Sequence, residues 1–216
     1  MQELELLLDN IFQILHIIIF IICSIILFIK SRRLELSEQK KFFIGLAGFA
    51  LGWSLTHLTF LFVNIMPEED PLFAVLWKIA ACIGILALLS IILVIERYAV
   101  KSKYVFSIIT LIGLILVIVL PIYGREISGA RLASYIFLPI GASSIVFLYL
   151  YLIIKLTGEP RRETIYVFIG ILLIFFGYAL GTELLSGVYI PYRFVINSLL
   201  MICGGILVTI VYNKRE

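Results

Sequence analysis

Long apolar runs alternate with short polar segments along the whole chain. Each run holds about 20 or more mostly apolar residues, enough for a helix to cross the hydrocarbon core of a bilayer. The runs lack the polar and apolar alternation of a barrel strand, and only helices or closed barrels satisfy their backbone in lipid. We therefore predict an all-α bundle of seven transmembrane helices that forms one domain over residues 1–216. The predicted spans are about 10–29, 42–65, 72–95, 104–123, 132–154, 164–186 and 194–212.

Lysine and arginine concentrate in the segments after the first, third and fifth runs and at the C-terminus, which together hold 13 of the 17. The other side carries the acidic N-terminus and the segments MPEEDP and YGREISGAR. Because cytoplasmic loops are enriched in lysine and arginine, we predict a multi-pass protein of the cell membrane. Its N-terminus lies outside and its C-terminus in the cytoplasm, where the basic loops are the expected contact for a protein partner.

The composition excludes a soluble domain. The chain is 62% hydrophobic and 14% charged, with a mean hydropathy of +1.16, whereas soluble domains are about half apolar and about a quarter charged. The net charge of +3 comes from residues that flank the spans, so we expect a lipid bilayer as surroundings and no nucleic-acid partner. The acidic start lacks the features of a cleaved signal peptide, and we expect the first span to be retained.

The chain resembles itself when it is shifted by 125 residues, which aligns spans one and two with spans five and six. A second shift, of 120 residues, aligns span three with span seven. We predict a parallel duplication of three plus one plus three helices, with repeats at 10–96 and 132–212 and a linker helix at 104–123. The less common matches are Lys30/Lys155, Gly45/Gly170, Gly52/Gly177, Trp53/Tyr178 and Gly84/Gly204.

Glycines recur at helical spacing on two of the spans. Small residues at such spacing allow two helix backbones to approach closely in a membrane. We therefore predict glycine faces for close packing on span two and span six. The positions are Gly45, Gly48, Gly52, Gly170, Gly177 and Gly181.

Polar and ionisable residues within the spans fall at one level, in the outer halves, whereas the inner halves are almost free of them. Ionisable groups in hydrocarbon are costly and mark candidate sites. We predict an outside-facing pocket that takes an unknown small ligand and is closed below by apolar residues. Its predicted ligand-binding residues are His16, Trp53, His57, Lys78, Tyr178, Glu183, Arg193 and Asn197.

Two other interpretations of these residues remain open. Lys78 and Glu183 could form a structural ion pair, with His16 and His57 as hydrogen-bonding residues. The two histidines could instead ligate a haem from either side, since imidazole is a common axial ligand. We expect no other cofactor, because the three cysteines lie in apolar runs and no metal-binding spacing is present.

Three resemblances to known families suggest functions. Glu96, Arg97 and Tyr98, at the inner end of span three, resemble the Glu/Asp-Arg-Tyr motif of rhodopsin-like G-protein-coupled receptors. The length, orientation and parallel repeat resemble those of SWEET sugar transporters. The isoleucine-rich spans and the segment VIERYAVKSKY are also similar to small uncharacterised seven-helix membrane proteins of archaea.

These observations favour a receptor-like or sensor-like protein with an outside-facing polar pocket. The apolar inner halves support this interpretation, because a transporter needs a polar path to the inside. The alternative is a small-solute transporter, suggested by the parallel repeat and by Pro139, which is expected to kink span five. Catalytic motifs such as HExxH and GxSxG are absent from the sequence, and we do not expect an enzyme.

Overall fold

A computed structural model describes residues 2–100, 102–123, 129–182 and 192–213 of the chain. These residues form seven helices and no strand, so the prediction of an all-α fold is confirmed. A π-helical turn over Glu96–Val100 extends the third helix. The helices are α1 (Gln2–Arg33), α2 (Ser37–Ile65), α3 (Pro71–Ile95), α4 (Val105–Val119), α5 (Ala130–Lys155), α6 (Gly158–Gly181) and α7 (Arg193–Asn213).

Six of these helices are long and apolar enough to cross a membrane, and only α4 is shorter. The 15 residues of α4 extend about 22 Å at 1.5 Å per residue, less than the thickness of a hydrocarbon core. The predicted helix at 104–123 is therefore too long. The helix begins at Val105, directly after a turn in which Lys103 and Tyr104 have positive φ. It ends at Val119 because Leu120, before Pro121, is extended.

The helices pack in chain order around a closed ring, since each contacts the next and α1 contacts α7. Consecutive helices are antiparallel, whereas α1 and α7 run parallel, with Phe20 beside Gly205. We call the end at which α1, α3, α5 and α7 begin the outer end and the opposite one the inner end. These names follow the charge distribution, and the orientation in a membrane stays a prediction.

Apart from α4, the helices pack in two matching sets. Each contact made by α1, α2 or α3 has a counterpart made by α5, α6 or α7, in that order. The α1/α2, α2/α3 and α1/α7 contacts have counterparts in α5/α6, α6/α7 and α3/α5. A parallel duplication requires this correspondence. The duplication itself remains a prediction.

The predicted glycine faces lie at the α2/α3 and α6/α7 interfaces. A methyl group added at Gly45 would lie 2.8 Å from the Val94 side chain. One added at Gly177 would lie 2.7 Å from the backbone oxygen of Asn197. Such distances are too short for a side chain, so glycine permits the close approach of these helices. The same applies to Gly52, Gly170 and Gly181.

Glu96 joins the end of α3 to the start of α4. Its side chain is 1% exposed and accepts hydrogen bonds from the backbone N–H groups of Phe106, at 2.9 Å, and Ser107, at 2.8 Å. The hydroxyls of Ser102 and Ser107 also donate to it. A carboxylate at the first turn of a helix satisfies unpaired N–H groups and interacts favourably with the helix dipole. Glu96, within the receptor-like motif, therefore caps α4.

Candidate functional site

A cavity of about 120 Å³ lies at the outer end, between all the long helices. We call it the outer cavity. It has room for several water molecules or for one small polar solute. Its polar and aromatic lining residues are Gln13, His57, Phe60, Asn64, Trp77, Ser134, Tyr135, Tyr178, Thr182, Phe194 and Asn197, and Leu61 and Gly181 complete the wall.

The described wall of the outer cavity contains neutral hydrogen-bonding groups and aromatic rings but no lysine, arginine, aspartate or glutamate. Two of the lining residues each hold a buried polar atom, Nε2 of His57 and Oδ1 of Asn197, that makes no hydrogen bond to the described part of the chain. Buried polar atoms are nearly always hydrogen-bonded. The wall is therefore suited to an uncharged molecule that both donates and accepts hydrogen bonds.

His16 and His57 meet edge to face behind this wall. Their ring centroids lie 4.5 Å apart with an interplanar angle of 88°. His16 is buried, and its Nδ1 lies 3.4 Å from the Ser198 hydroxyl of α7. The two rings are in direct contact, which leaves no space for a porphyrin between them. This arrangement does not fit the haem alternative, and His16 supports His57 without lining the cavity.

An aromatic cluster forms the floor of the outer cavity. Trp53, only 1% exposed, packs against Tyr178 with ring centroids 5.0 Å apart. It also contacts Phe49 at 5.5 Å and Phe175 at 6.2 Å. Tyr178 lines the cavity, whereas Trp53 does not and lies one turn below His57 on α2. Side chains of α2 and α6 thus close the cavity towards the centre of the bundle.

Lys78, two turns into α3, and Arg193, the first residue of α7, do not line the outer cavity. The Lys78 ammonium donates to the backbone oxygen of Ile118 near the end of α4, at 3.1 Å. The Arg193 guanidinium donates to the backbone oxygens of Leu180 and Thr182 at the end of α6. Cations are favoured at helix C-termini, where carbonyl groups lack helical partners. Both side chains therefore bind and stabilise helix ends in this structure.

Glu183 lies outside the described residues, so its predicted pairing with Lys78 stays a prediction. The predicted ligand-binding residues that do come together at the cavity wall are His57, Tyr178 and Asn197.

Arg131 is a buried charge near the cavity that the sequence analysis missed. It lies in the first turn of α5 and is 0% exposed. Its guanidinium carbon is 5.1 Å from the centre of the Trp77 ring and 5.7 Å from that of Phe73. Trp77, in turn, lines the cavity. Because Arg131 directly precedes an apolar run, its position in the sequence is that of an outer-loop residue and only weakly indicates burial.

The described residues contain no metal-binding cluster. Among residues 2–100, 102–123, 129–182 and 192–213, no three histidine, cysteine, aspartate or glutamate side chains are grouped to hold a metal ion. The cysteines Cys23, Cys82 and Cys203 form no disulfide. No protein-family model, curated protein or solved structure matches the chain.

A second and larger cavity, of about 680 Å³, lies at the inner end between α1, α2, α5, α6 and the π-helical turn. We call it the inner cavity. It is lined by Lys30, Gln39, Tyr98, Tyr149, Lys155, Glu163 and Thr164, together with apolar side chains. The charged residues of this wall, Lys30, Lys155 and Glu163, each lie one residue beyond a predicted span. The sequence places Lys30 directly after the first predicted span, but α1 continues to Arg33 and holds Lys30 within the bundle at 7% exposure.

An apolar layer separates the two cavities. Its side chains come from the middle of α1, α2 and α6 and are almost fully buried. A void of about 20 Å³ lies within the layer, too small for more than one or two water molecules. Phe20, Leu46, Phe49, Ile171 and Ile174 belong to this layer.

Proposed function

We propose that this chain is a receptor-like or sensor-like membrane protein that binds a small, uncharged, polar molecule in the outer cavity. The observation that carries the proposal is that two lining residues, His57 and Asn197, each hold a buried polar atom, Nε2 and Oδ1, without a partner in the described part of the protein. A ligand with a hydroxyl or amide group would satisfy both. The aromatic side chains beside them favour a ligand that also has an apolar face.

The position of the cavity supports a role in sensing. His57 belongs to α2, Tyr178 to α6 and Asn197 to α7, so one ligand would bind helices from both predicted repeats. A ligand shifts a conformational equilibrium only as far as it binds one arrangement better than the other. Contacts to several helices at once depend strongly on the helix arrangement. The basic inner loops are the proposed contact for a cytoplasmic partner.

A thermal-unfolding screen tests the binding. The purified protein in nanodiscs would be heated with individual polyols, sugars, amides and zwitterionic amino acids. We expect at least one uncharged compound to raise the unfolding temperature with a saturable dose dependence, because a ligand that binds only the folded state stabilises it. The same compound should have a smaller effect on the Asn197→Ala variant. Asn10→Ala, at an exposed asparagine of the same end, is the matched control.

The alternative is a small-solute transporter, and the inner cavity is the observation that favours it. Outer and inner cavities border the same helices α1, α2 and α6, with the apolar layer between them. Alternate opening of that layer would connect the cavities, as the parallel-repeat resemblance to SWEET transporters implies. Uptake of the ligand into proteoliposomes, lost in Asn197→Ala, would support transport. Saturable binding without uptake would support a receptor.

A further inference from the structure

Five helices each contribute one aromatic side chain to the wall of the outer cavity. The rings of Phe60 and Trp77 meet edge to face, with their centroids 6.1 Å apart and an interplanar angle of 73°. The His57 imidazole also meets Tyr178 edge to face, at 6.1 Å and 86°. A flat ring can join such edge-to-face and stacked arrangements, which a puckered, saturated ring cannot adopt. The five aromatic side chains are Phe60, Trp77, Tyr135, Tyr178 and Phe194.

The size of the outer cavity limits the ligand to a single ring. Its volume is about 120 Å³, whereas an apolar cavity of roughly 150 Å³ in another protein is filled by one benzene molecule. A six-membered ring with one or two polar substituents therefore fills the space. A second ring does not fit.

The orientation of the Asn197 amide determines what the ligand must bring to this wall. Asn197 is 5% exposed. A methyl group added at Gly181 would meet Nδ2 of Asn197, but it would lie 3.8 Å from Oδ1. The amide nitrogen therefore faces α6, and Oδ1, which has no hydrogen bond to the described residues, is turned away from Gly181. Because an amide oxygen only accepts hydrogen bonds, its missing partner is an N–H or O–H donor.

His57 adds a requirement of a different kind. Its Nε2 also lacks a hydrogen bond to the described residues, and in a neutral imidazole this nitrogen donates in one tautomer and accepts in the other. A ligand with a donor and an acceptor side by side satisfies His57 in either tautomer. A cyclic amide has this arrangement, an N–H next to a C=O. A carboxylic acid, ionised at neutral pH, would meet no lysine or arginine in the described wall.

We propose that the ligand of the outer cavity is a planar cyclic amide of single-ring size, a heterocycle of the pyridone or pyrimidinone type. Its N–H donates to Oδ1 of Asn197, and its flat ring packs among the aromatic side chains of the wall. This inference rests on the proposed function and names the chemical class of the ligand.

Three related compounds test the class, with the full chain in nanodiscs and thermal unfolding as the readout. They are 2-pyridone, N-methyl-2-pyridone, which lacks the donor, and 2-piperidone, which keeps the amide in a saturated ring. We expect 2-pyridone to bind about tenfold more tightly than the methylated compound, because one hydrogen bond is lost. It should bind about fivefold more tightly than 2-piperidone, because the aromatic contacts are lost.

The outcomes of this comparison separate the ligand class from the proposed function. Equal binding of the three compounds overturns the inference. Binding of a polyol, a sugar or an open-chain amide without binding of 2-pyridone also overturns it, but it leaves the proposed function standing. If no uncharged compound binds at all, the proposed function fails together with the inference.

Variants assign each preference to its side chain. Asn197→Ala should weaken the binding of 2-pyridone about tenfold and leave that of N-methyl-2-pyridone almost unchanged, because only the first donates to Oδ1. Phe60→Leu should reduce the preference for 2-pyridone over 2-piperidone. Phe62→Leu, at a ring that is 50% exposed on the same helix and outside the wall, should leave that preference unchanged.

Equal losses of both pyridones in Asn197→Ala overturn the proposal, as do equal effects of Phe60→Leu and Phe62→Leu. The comparison of the three compounds on the unmodified protein decides the result even where a variant does not fold.

Discussion

Trp53 of α2 and Tyr178 of α6 pack ring against ring, with their centroids 5.0 Å apart. The two residues correspond to each other under the shift of 125 residues that suggests the internal repeat. Their contact joins the two predicted halves directly below the outer cavity. The same pair therefore closes the cavity and connects its wall to the apolar layer.

Removal of the Trp53 ring should destabilise the bundle. We expect Trp53→Ala to lower the free energy of unfolding by about 3–5 kcal/mol, because the ring is buried among other aromatic side chains. Phe176→Ala removes a ring that is 63% exposed and should change this free energy by less than about 0.5 kcal/mol. Unfolding of both variants in the same detergent gives the comparison. Equal losses would show that the Trp53 cluster has no special structural role.

Two glycines of α2 should respond differently to the same substitution. In Gly52→Ala the new methyl group would lie 2.8 Å from Cβ of Ala87, whereas in Gly48→Ala it would lie 3.5 Å from Cβ of Ser90. We expect a loss of about 1–3 kcal/mol for Gly52→Ala from overpacking. Gly48→Ala should be neutral or slightly stabilising, since alanine favours helix. Thermal unfolding in one detergent measures both, and a larger loss in Gly48→Ala would contradict the packing described for α2 and α3.

Glu96 should determine how α4 begins. We expect Glu96→Ala to cost about 1–2 kcal/mol, because four donors at the start of α4 lose their acceptor. Hydrogen exchange of the Phe106 and Ser107 amides should become faster in that variant. Glu159→Ala, at an exposed carboxylate in the first turn of α6, serves as the control. Unchanged exchange at Phe106 and Ser107 in Glu96→Ala would exclude the capping role.

The charge distribution predicts which end of the bundle faces outward. In a variant without the native cysteines, Asn10→Cys should react with a membrane-impermeant maleimide on intact cells. Arg161→Cys, at the exposed inner end, should react only after the membrane is permeabilised. The opposite pattern would place the outer cavity on the cytoplasmic side and would contradict the positive-inside assignment.

The sequence predicts the parts of this fold that depend on local periodicity and composition. Apolar runs indicate the helices, and the spacing of Gly45, Gly52, Gly170 and Gly177 indicates which faces pack closely. Such patterns repeat along one helix, so they can be recognised without knowing which helices pack against it. The bounds of α4 are less predictable, because its end depends on Pro121 and its start on capping by the distant Glu96.

The candidate site is only partly predictable for the same reason. His57, Tyr178 and Asn197 fall at one depth and do line one cavity, but depth does not fix the direction in which a side chain points. Lys78 has the same depth and contacts the end of α4 instead. Arg131 and Lys30 adjoin predicted span ends, and only the packing of neighbouring helices shows that they are buried.

The central claim is tested most directly by the dissociation constant of an uncharged ligand from the thermal screen. This constant is measured in nanodiscs for the unmodified protein, Asn197→Ala and Lys78→Gln. Asn197→Ala should weaken binding about tenfold relative to the unmodified protein, because a hydrogen bond at the cavity wall is lost. Lys78→Gln should leave the constant unchanged, because Lys78 lies outside that wall. Equal binding by Asn197→Ala and the unmodified protein, or weaker binding by Lys78→Gln alone, would contradict a ligand site in the outer cavity.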